Sequence, residues 1–305
     1  MNFSEYTLVS FGDSFTFGQD TVSHYSHDSH GEPEVHKQWK KECNENSYTQ
    51  VLADTLGFKD SLNFGVLAGS NERSLTLLES FLRSNPTMKI FVLFNFTSSS
   101  RFLQFFKVDS KPEYGVVDML PWITARQFIE EGRYTGIDKK SIENHYTFWR
   151  NSIQDVYNHV KDRRNLYYLL SSYNTPYITF DIINETDYRM LRDNPLEYIY
   201  KNQDGNDGFG ANFMCNDDEN YIFKEMDFLK SYHKELVDKS PLLTHMGMDY
   251  LSGKRNIFCY INDMARDKHN DQNYYIGEDR GHWNSEGHRE VAKLIEKFIN
   301  EKYDN

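Results

Sequence analysis

The sequence predicts an α/β protein of three layers, with helices on both sides of a mainly parallel β-sheet. Short apolar runs typical of strands alternate along the chain with longer runs of helical periodicity. The run Met88–Phe94 is almost continuously apolar. Such a run is typical of a strand buried on both faces, as in a parallel sheet covered by helices.

The elements follow from these patterns in chain order. The first strand covers Tyr6–Phe11, and Ser14 begins the helix after it. The residue before a proline disfavours helix, so Thr175-Pro176 ends the long helical run that precedes it. The further predicted strands are Ser61–Val66, Met88–Phe94 and Tyr177–Ile182, and the predicted helices are Asn46–Leu56, Asn71–Leu82, Ser141–Ser172 (one helix or two in series) and Gly287–Lys302.

A chain of 305 residues could hold one large domain or two ordinary ones, and we expect a single domain. Two polar segments, 20–46 and 183–273, interrupt the alternation and connect to loops at one edge of the sheet. We expect them to form a cap over that edge, because long loops in compact domains are often binding lids.

The charge and the hydrophobic pattern narrow the function classes. The formal net charge of −12 opposes binding to nucleic acid or to an anionic membrane surface. No apolar run is long enough to span a bilayer. Because the first strand begins close to Met1, we expect no signal peptide and a cytoplasmic protein. Release by lysis, as for a phage-encoded protein, is compatible with this expectation.

Two short segments carry residues suited to acyl transfer. Ser14 lies at a predicted strand-to-helix turn, and Asp279 precedes His282 by three residues near the other end of the chain. A serine hydroxyl is a poor nucleophile unless a base lies beside it, and a histidine titrates near neutrality and can serve as that base. An aspartate can hold the histidine ring in the required tautomer.

These segments resemble the sequence blocks of the SGNH (GDSL-type) hydrolases. Gly12–Gly18 is close to that family's Gly-Asp-Ser-x-Thr-x-Gly block. Asp279–His288 matches its Asp-x-x-His-Pro-Asn-x-x-Gly-His block, except that Trp283 replaces the proline. The resemblance implies a flavodoxin-like three-layer fold, with Ser14 as nucleophile, His282 as base and Asp279 as its orienting acid. It implies no cofactor and no metal.

The resemblance also implies an oxyanion hole made by the Ser14 N–H, a glycine of the second block and an asparagine of the third. Gly69 is the first candidate for the glycine because it leads into a predicted helix, and Gly65 is the second. The third block departs from the family's Gly-x-Asn-Asp pattern. Asn95, which we place just after the third strand, could donate its side-chain amide, or Thr97 could occupy that position.

Other residues have two interpretations. His24, His27 and His30 are spaced three apart and could bind a metal, although solvated loop histidines are commoner. Arg101 follows the third strand and could hold a carboxylate or an acyl group, or form a structural ion pair. His288 is expected to be structural, with a hydrogen bond in the first turn of the last helix.

We therefore expect a serine ester hydrolase that forms an acyl-enzyme. The polar insertions and the aromatic content of 15% favour removal of O-acyl groups, such as acetyl, from a carbohydrate or another polar molecule. One alternative is acyl transfer to an alcohol or a sugar through the same intermediate. Another is an SGNH-like fold that binds glycans without turnover, which the altered third block would favour.

Overall fold

The computed structural model describes residues 1–22, 33–97, 101–107, 114–119, 140, 152–182, 245–246, 250–251, 256–277 and 281–303. After a short 3-10 helix at Phe3–Glu5, the strands are β1 (Thr7–Gly12), β2 (Asp60–Gly65), β3 (Ile90–Phe96), β4 (Phe102–Lys107), β5 (Tyr114–Met119), β6 (Tyr177–Asp181) and β7 (His245–Met246). The helices are α1 (Ser14–Phe17), α2 (Pro33–Glu45), α3 (Tyr48–Leu56), α4 (Asn71–Ser84), α5 (Ser152–Ser172), α6 (Ile257–His269) and α7 (Ser285–Tyr303).

The main sheet is parallel and has the strand order β2-β1-β3-β6-β7. Numbered by their succession along the chain, these strands run 2-1-3-4-5, which is the doubly wound order of flavodoxin-like folds. Strands β4 and β5 pair antiparallel and form a separate two-stranded sheet. The predicted fold class is confirmed.

Two apolar cores lie on the two faces of the main sheet. On one face, Leu8, Phe91 and Phe180 pack with the buried sides of α3, α6 and α7. On the other face, Val9 and Phe94 pack with α4 and α5. Because successive residues of a strand point to opposite faces, the fully buried strands β1 and β3 supply apolar side chains to both cores.

Side-chain caps fix where three helices begin. The Asp13 carboxylate accepts the Phe15 N–H at the start of α1, and the Ser47 hydroxyl accepts the Gln50 N–H at the start of α3. Ser70 caps α4 in the same way. Each cap satisfies a backbone donor that has no partner within its own helix.

Strand β3 ends two residues later than the sequence predicts, and this moves Asn95 into the strand. Asn95 lies opposite Phe180 in the register between β3 and β6. It therefore does not follow the third strand as expected. The strand accommodates this polar residue because its amide is hydrogen-bonded within the protein, as described below.

The two polar segments also contain structure that the sequence pattern did not reveal. Helix α2 forms within 20–46, where the Trp39 ring packs 5.3 Å from the ring of Phe17 and Cys43 is buried. Helix α6 forms within 183–273 and buries Ile257 and Ile261 in the core beside α7. Residues 183–244 lie outside the described part of the chain, so a cap there stays a prediction. No described helix is both long enough and apolar enough to span a membrane.

Candidate active site

Ser14 and His282 meet at the carboxyl edge of the main sheet, 268 positions apart in the chain. The Ser14 Oγ lies 2.7 Å from the His282 Nε2. Ser14 is the first residue of α1, two residues after β1 ends, and its exposed fraction is 4%. His282 is partly exposed. The two residues that the sequence analysis selected as nucleophile and base are thus within hydrogen-bonding distance.

The backbone around His282 is held by short contacts between the two sides of its loop. The Gly277 N–H donates to the His282 carbonyl at 2.7 Å, and Ile276 forms an antiparallel bridge with Trp283. The His282 ring also packs against the Phe15 ring, with centroids 4.8 Å apart. The ring therefore rests on the helix that carries Ser14. Asp279 lies outside the described residues, so its contact with His282 stays a prediction.

Trp283, the residue that departs from the family pattern, is a packing anchor beneath the site. It is among the largest fully buried side chains. Its ring centroid lies 4.8 Å from that of Phe15, 6.0 Å from that of Phe258 and 5.8 Å from that of His288. An indole at this position buries a large apolar area against α1 and α6. The substitution thereby connects the histidine loop to the core.

His288 joins the last helix to α3. Its Nδ1 accepts the Tyr48 N–H at 3.1 Å, and its ring stacks on the Tyr48 ring with centroids 5.7 Å apart. Burial, and secondarily the nearby His282, lower the pKa of His288 to about 3. His288 is therefore neutral and structural, as expected. Its bond goes to a different helix, however, and not into the first turn of its own.

The Asp13 side chain, which precedes Ser14, is fully buried and accepts four hydrogen bonds from the described residues. Its Oδ1 accepts the Phe15 N–H at 3.1 Å and the Asn95 amide at 3.0 Å. Its Oδ2 accepts the Thr97 hydroxyl at 2.7 Å and an Arg101 N–H at 3.2 Å. These bonds satisfy a buried charge that would otherwise be costly. They also fix the start of α1, and with it the position of Ser14.

The Asn95 side chain is occupied within this network. Its Nδ2 lies 3.0 Å from the Asp13 Oδ1 and 3.3 Å from the Thr16 Oγ1. Its Oδ1 accepts the Ile182 N–H at 3.2 Å. Thr16 in turn bonds the Tyr48 hydroxyl at 2.8 Å. An amide with both hydrogens engaged in this way has none left for an oxyanion, so the geometry favours a positioning role for Asn95.

Thr97, the other candidate of the third block, is also engaged. Its N–H donates to the Asn71 Oδ1 at 2.9 Å, and its hydroxyl donates to the Asp13 Oδ2 at 2.7 Å. Its exposed fraction is 1%. The third block thus supplies bonds that hold Asp13 and the start of α4.

The two candidate glycines use their N–H groups in local turns. The Gly69 N–H donates to the Val66 carbonyl at 2.8 Å, and the Gly65 N–H donates to the Asn63 Oδ1 at 2.9 Å. A Cβ on Gly65 would lie 2.2 Å from the Phe17 backbone nitrogen. Gly65 is therefore required for close packing of β2 on α1, which is a structural role.

Ala68, which the sequence analysis did not consider, has a backbone N–H that is free among the described residues, in an unusual backbone conformation. Its φ of 57° lies in the left-handed region, which non-glycine residues rarely occupy. The turn from Val66 to Gly69 demands this conformation at its third position. Among the described residues the Ala68 N–H has no acceptor. The sequence signal was obscured because glycine, the usual residue for this conformation, stands one position later.

The described residues contain no group of histidine, cysteine, aspartate and glutamate side chains that could hold a metal ion. His24, His27 and His30 lie outside the described part of the chain. Their suggested metal binding therefore stays a prediction.

No protein-family model and no curated protein sequence matches this chain. Comparison with solved structures finds lipolytic proteins and esterases. One is assigned to the lipolytic G-D-S-L family and comes from Desulfitobacterium hafniense DCB-2, with 11% identity, a TM-score of 0.37, and coverage of 96% of this chain and 98% of the other.

A psychrotrophic esterase from a Pseudoalteromonas species, solved with monoethylphosphonate as inhibitor, has 11% identity, a TM-score of 0.38, and coverage of 98% of this chain and 99% of the other. A lipase/acylhydrolase from Enterococcus faecalis has 11% identity, a TM-score of 0.38, and coverage of 97% and 96%.

Proposed function

We propose that this protein is a serine ester hydrolase. The observation that carries the proposal is the 2.7 Å contact between the Ser14 Oγ and the His282 Nε2 at the carboxyl edge of a doubly wound sheet. Substrates of open α/β sheets bind at this edge. A serine with a histidine at this distance has the base that it needs to attack a carbonyl.

In the proposed reaction, the Ser14 Oγ attacks the ester carbonyl while the His282 Nε2 takes the serine proton. The tetrahedral intermediate collapses, and His282 returns the proton to the departing alkoxide, which leaves an acyl group on Ser14. Water then attacks the acyl-enzyme with His282 as base, and Ser14 is released with the carboxylic acid. Asp279 is proposed to orient the His282 ring through its Nδ1.

The oxyanion donors are proposed to be backbone groups. Ser14 is the first residue of α1, so its N–H has no acceptor within the helix. The Ala68 N–H, in the loop that follows β2, is the second donor that we propose. Gly69, the glycine that the sequence favoured, would first have to release the Val66 carbonyl. Hydrogen bonds that strengthen as charge develops on the oxygen are a large part of such catalysis.

The proposed substrates are O-acyl esters, acetyl esters among them, of carbohydrates or other polar molecules. The polar composition of segments 20–46 and 183–273 and the aromatic content of 15% support this choice. The contact between the Ser14 hydroxyl and the His282 ring also supports turnover over passive glycan binding, because binding alone needs no base beside a serine.

The test is an ester-release assay with p-nitrophenyl esters of increasing chain length and with acetylated sugars. We expect activity to be highest with acetyl esters. Ser14→Ala and His282→Ala should each reduce kcat by about a thousandfold or more. Ser172→Ala, which removes an exposed hydroxyl at the far end of α5, is the matched control. Full turnover in Ser14→Ala would contradict the proposal, and acyl products on an added alcohol would indicate a transferase.

A further inference from the structure

Arg101 contacts the residue that precedes Ser14, and the described residues leave some of its hydrogen-bond donors unused. It stands five residues after β3 ends, and one of its terminal nitrogens lies 3.2 Å from the Asp13 Oδ2. Its side chain is 14% exposed. Its Nε is buried and has no acceptor in the part of the chain that the structure describes. A guanidinium has five N–H donors in a fixed fork, and the described residues engage only part of this one.

A second arginine in the same protein shows what a structural ion pair looks like. One nitrogen of Arg163 lies 2.8 Å and 2.7 Å from the two carboxylate oxygens of Asp181. The Arg163 guanidinium also lies over the Phe96 ring, 4.4 Å from its centroid. Both oxygens of the partner are engaged, and the pair is almost fully buried. Arg101, in contrast, contacts a single oxygen of Asp13.

Asp13 does not engage the remaining N–H donors of the Arg101 guanidinium. Three neutral donors already bond the Asp13 carboxylate: the Phe15 N–H, the Asn95 amide and the Thr97 hydroxyl. One N–H from Arg101 completes this set. The Nε is enclosed by protein. A ligand oxygen would therefore meet the guanidinium at its terminal nitrogens, where the side chain is 14% exposed.

We propose that Arg101 binds a carboxylate of the substrate, close to the ester that Ser14 attacks. The inference rests on the proposed hydrolase function. A planar carboxylate matches the guanidinium fork with two parallel hydrogen bonds. A monoanion also suits the site better than a dianionic phosphate, because Asp13 already balances the charge of Arg101.

The position of Arg101 narrows the substrate class. Asp13 and Ser14 are chain neighbours, with Cα atoms about 3.8 Å apart. A small substrate that contacts both Arg101 and Ser14 therefore needs its carboxylate only a short distance from its ester carbonyl. O-acylated sugar acids and hydroxy acids have a carboxylate at this separation, and neutral sugar esters do not.

The experiment compares esters that differ in one charge. The three positional isomers of acetoxybenzoate are paired with the neutral acetoxybenzamides of the same shape, and kcat/KM is measured for each. For at least one isomer the wild type should prefer the carboxylate by about tenfold, as expected from one good hydrogen-bonded pair. Arg101→Gln should bring this ratio close to one. Arg101→Lys, which keeps the charge and loses the fork, should give an intermediate ratio.

Arg83→Gln is the matched control, because it removes one positive charge from an exposed position in the last turn of α4. It should retain the wild-type ratio. If Arg101 has only a structural role, its substitution lowers kcat/KM equally for both substrates and leaves the ratio unchanged. That result would overturn the inference, as would a wild-type ratio near one for all three isomers. A thermal melt establishes that each variant is folded, and Arg101→Lys carries the test if Arg101→Gln does not fold.

A binding measurement separates this inference from the hydrolase proposal. With Ser14→Ala, calorimetry should show hydroxybenzoate binding more tightly than hydroxybenzamide, and the double variant with Arg101→Gln should lose the difference. If no ester is turned over but this difference is present, the hydrolase proposal fails and the carboxylate site stands. If esters are hydrolysed but the difference is absent, the carboxylate site fails and the hydrolase stands.

Discussion

Replacing Asn95 with alanine tests whether this residue holds the site together or donates to an oxyanion. The substitution removes the hydrogen bond from the Asn95 side-chain amide to Asp13 and the weaker one to Thr16. It also removes the acceptor for the Ile182 N–H. An unsatisfied buried N–H costs about 1–3 kcal/mol, and a lost bond to a charged group costs about 1.5–3 kcal/mol. We expect the free energy of unfolding to fall by about 3–5 kcal/mol.

The assay pairs urea unfolding with kcat measured per folded molecule. A positioning residue should show the large stability loss with a fall in kcat of less than about tenfold. An oxyanion donor would instead show a fall of about a hundred- to a thousandfold with near-normal stability. Asn85→Ala is the control, since the Asn85 side-chain amide donates one hydrogen bond, to the Phe81 carbonyl at the exposed end of α4. Unchanged stability together with a hundredfold loss of kcat would refute the positioning role.

Two further predictions concern pH. The unfolded chain takes up a proton at His288 near pH 6.5, and the folded pKa is lowered to about 3, so stability should fall as pH drops from 6.5 towards 3. His288→Asn should flatten this dependence in urea titrations, and an equally steep fall in the variant would contradict the assignment. Burial raises the pKa of Asp162 from 3.8 to about 7, so its ionisation should destabilise the fold as pH rises from about 4 to 7. The stability gain from Asp162→Asn should therefore grow between pH 4 and pH 8 by more than about 1 kcal/mol, and a constant difference would count against it.

The elements nearest Ser14 were predictable because their signals are local. An apolar run followed by a capping aspartate defines the end of β1 and the start of α1, and Ser14 follows from that junction. The alternation of strands and helices likewise predicts the layers. Sequence motifs identified Ser14 and His282 as a pair, although no periodicity connects residues so far apart in the chain.

The departures from prediction arise where distant or unusual contacts decide the outcome. Asn95 lies within β3 because Ile182, which is 87 positions away, donates its backbone N–H to the Asn95 side-chain Oδ1. Ala68 takes a backbone conformation that favours glycine, so the sequence pointed to Gly69 instead. Helix α6 was missed because it lies near the end of a long polar segment, although Ile257, Ile261 and Ala265 are spaced for one buried face.

Covalent labelling with a fluorophosphonate tests the Ser14–His282 pair most directly, because the probe reacts with an activated serine and leaves an adduct whose position mass spectrometry can locate. We predict one adduct on Ser14 in the wild type. Labelling should be absent in Ser14→Ala and at least about a hundredfold slower in His282→Ala. A folded wild-type protein that stays unlabelled, or that carries the adduct on another serine, would contradict the account.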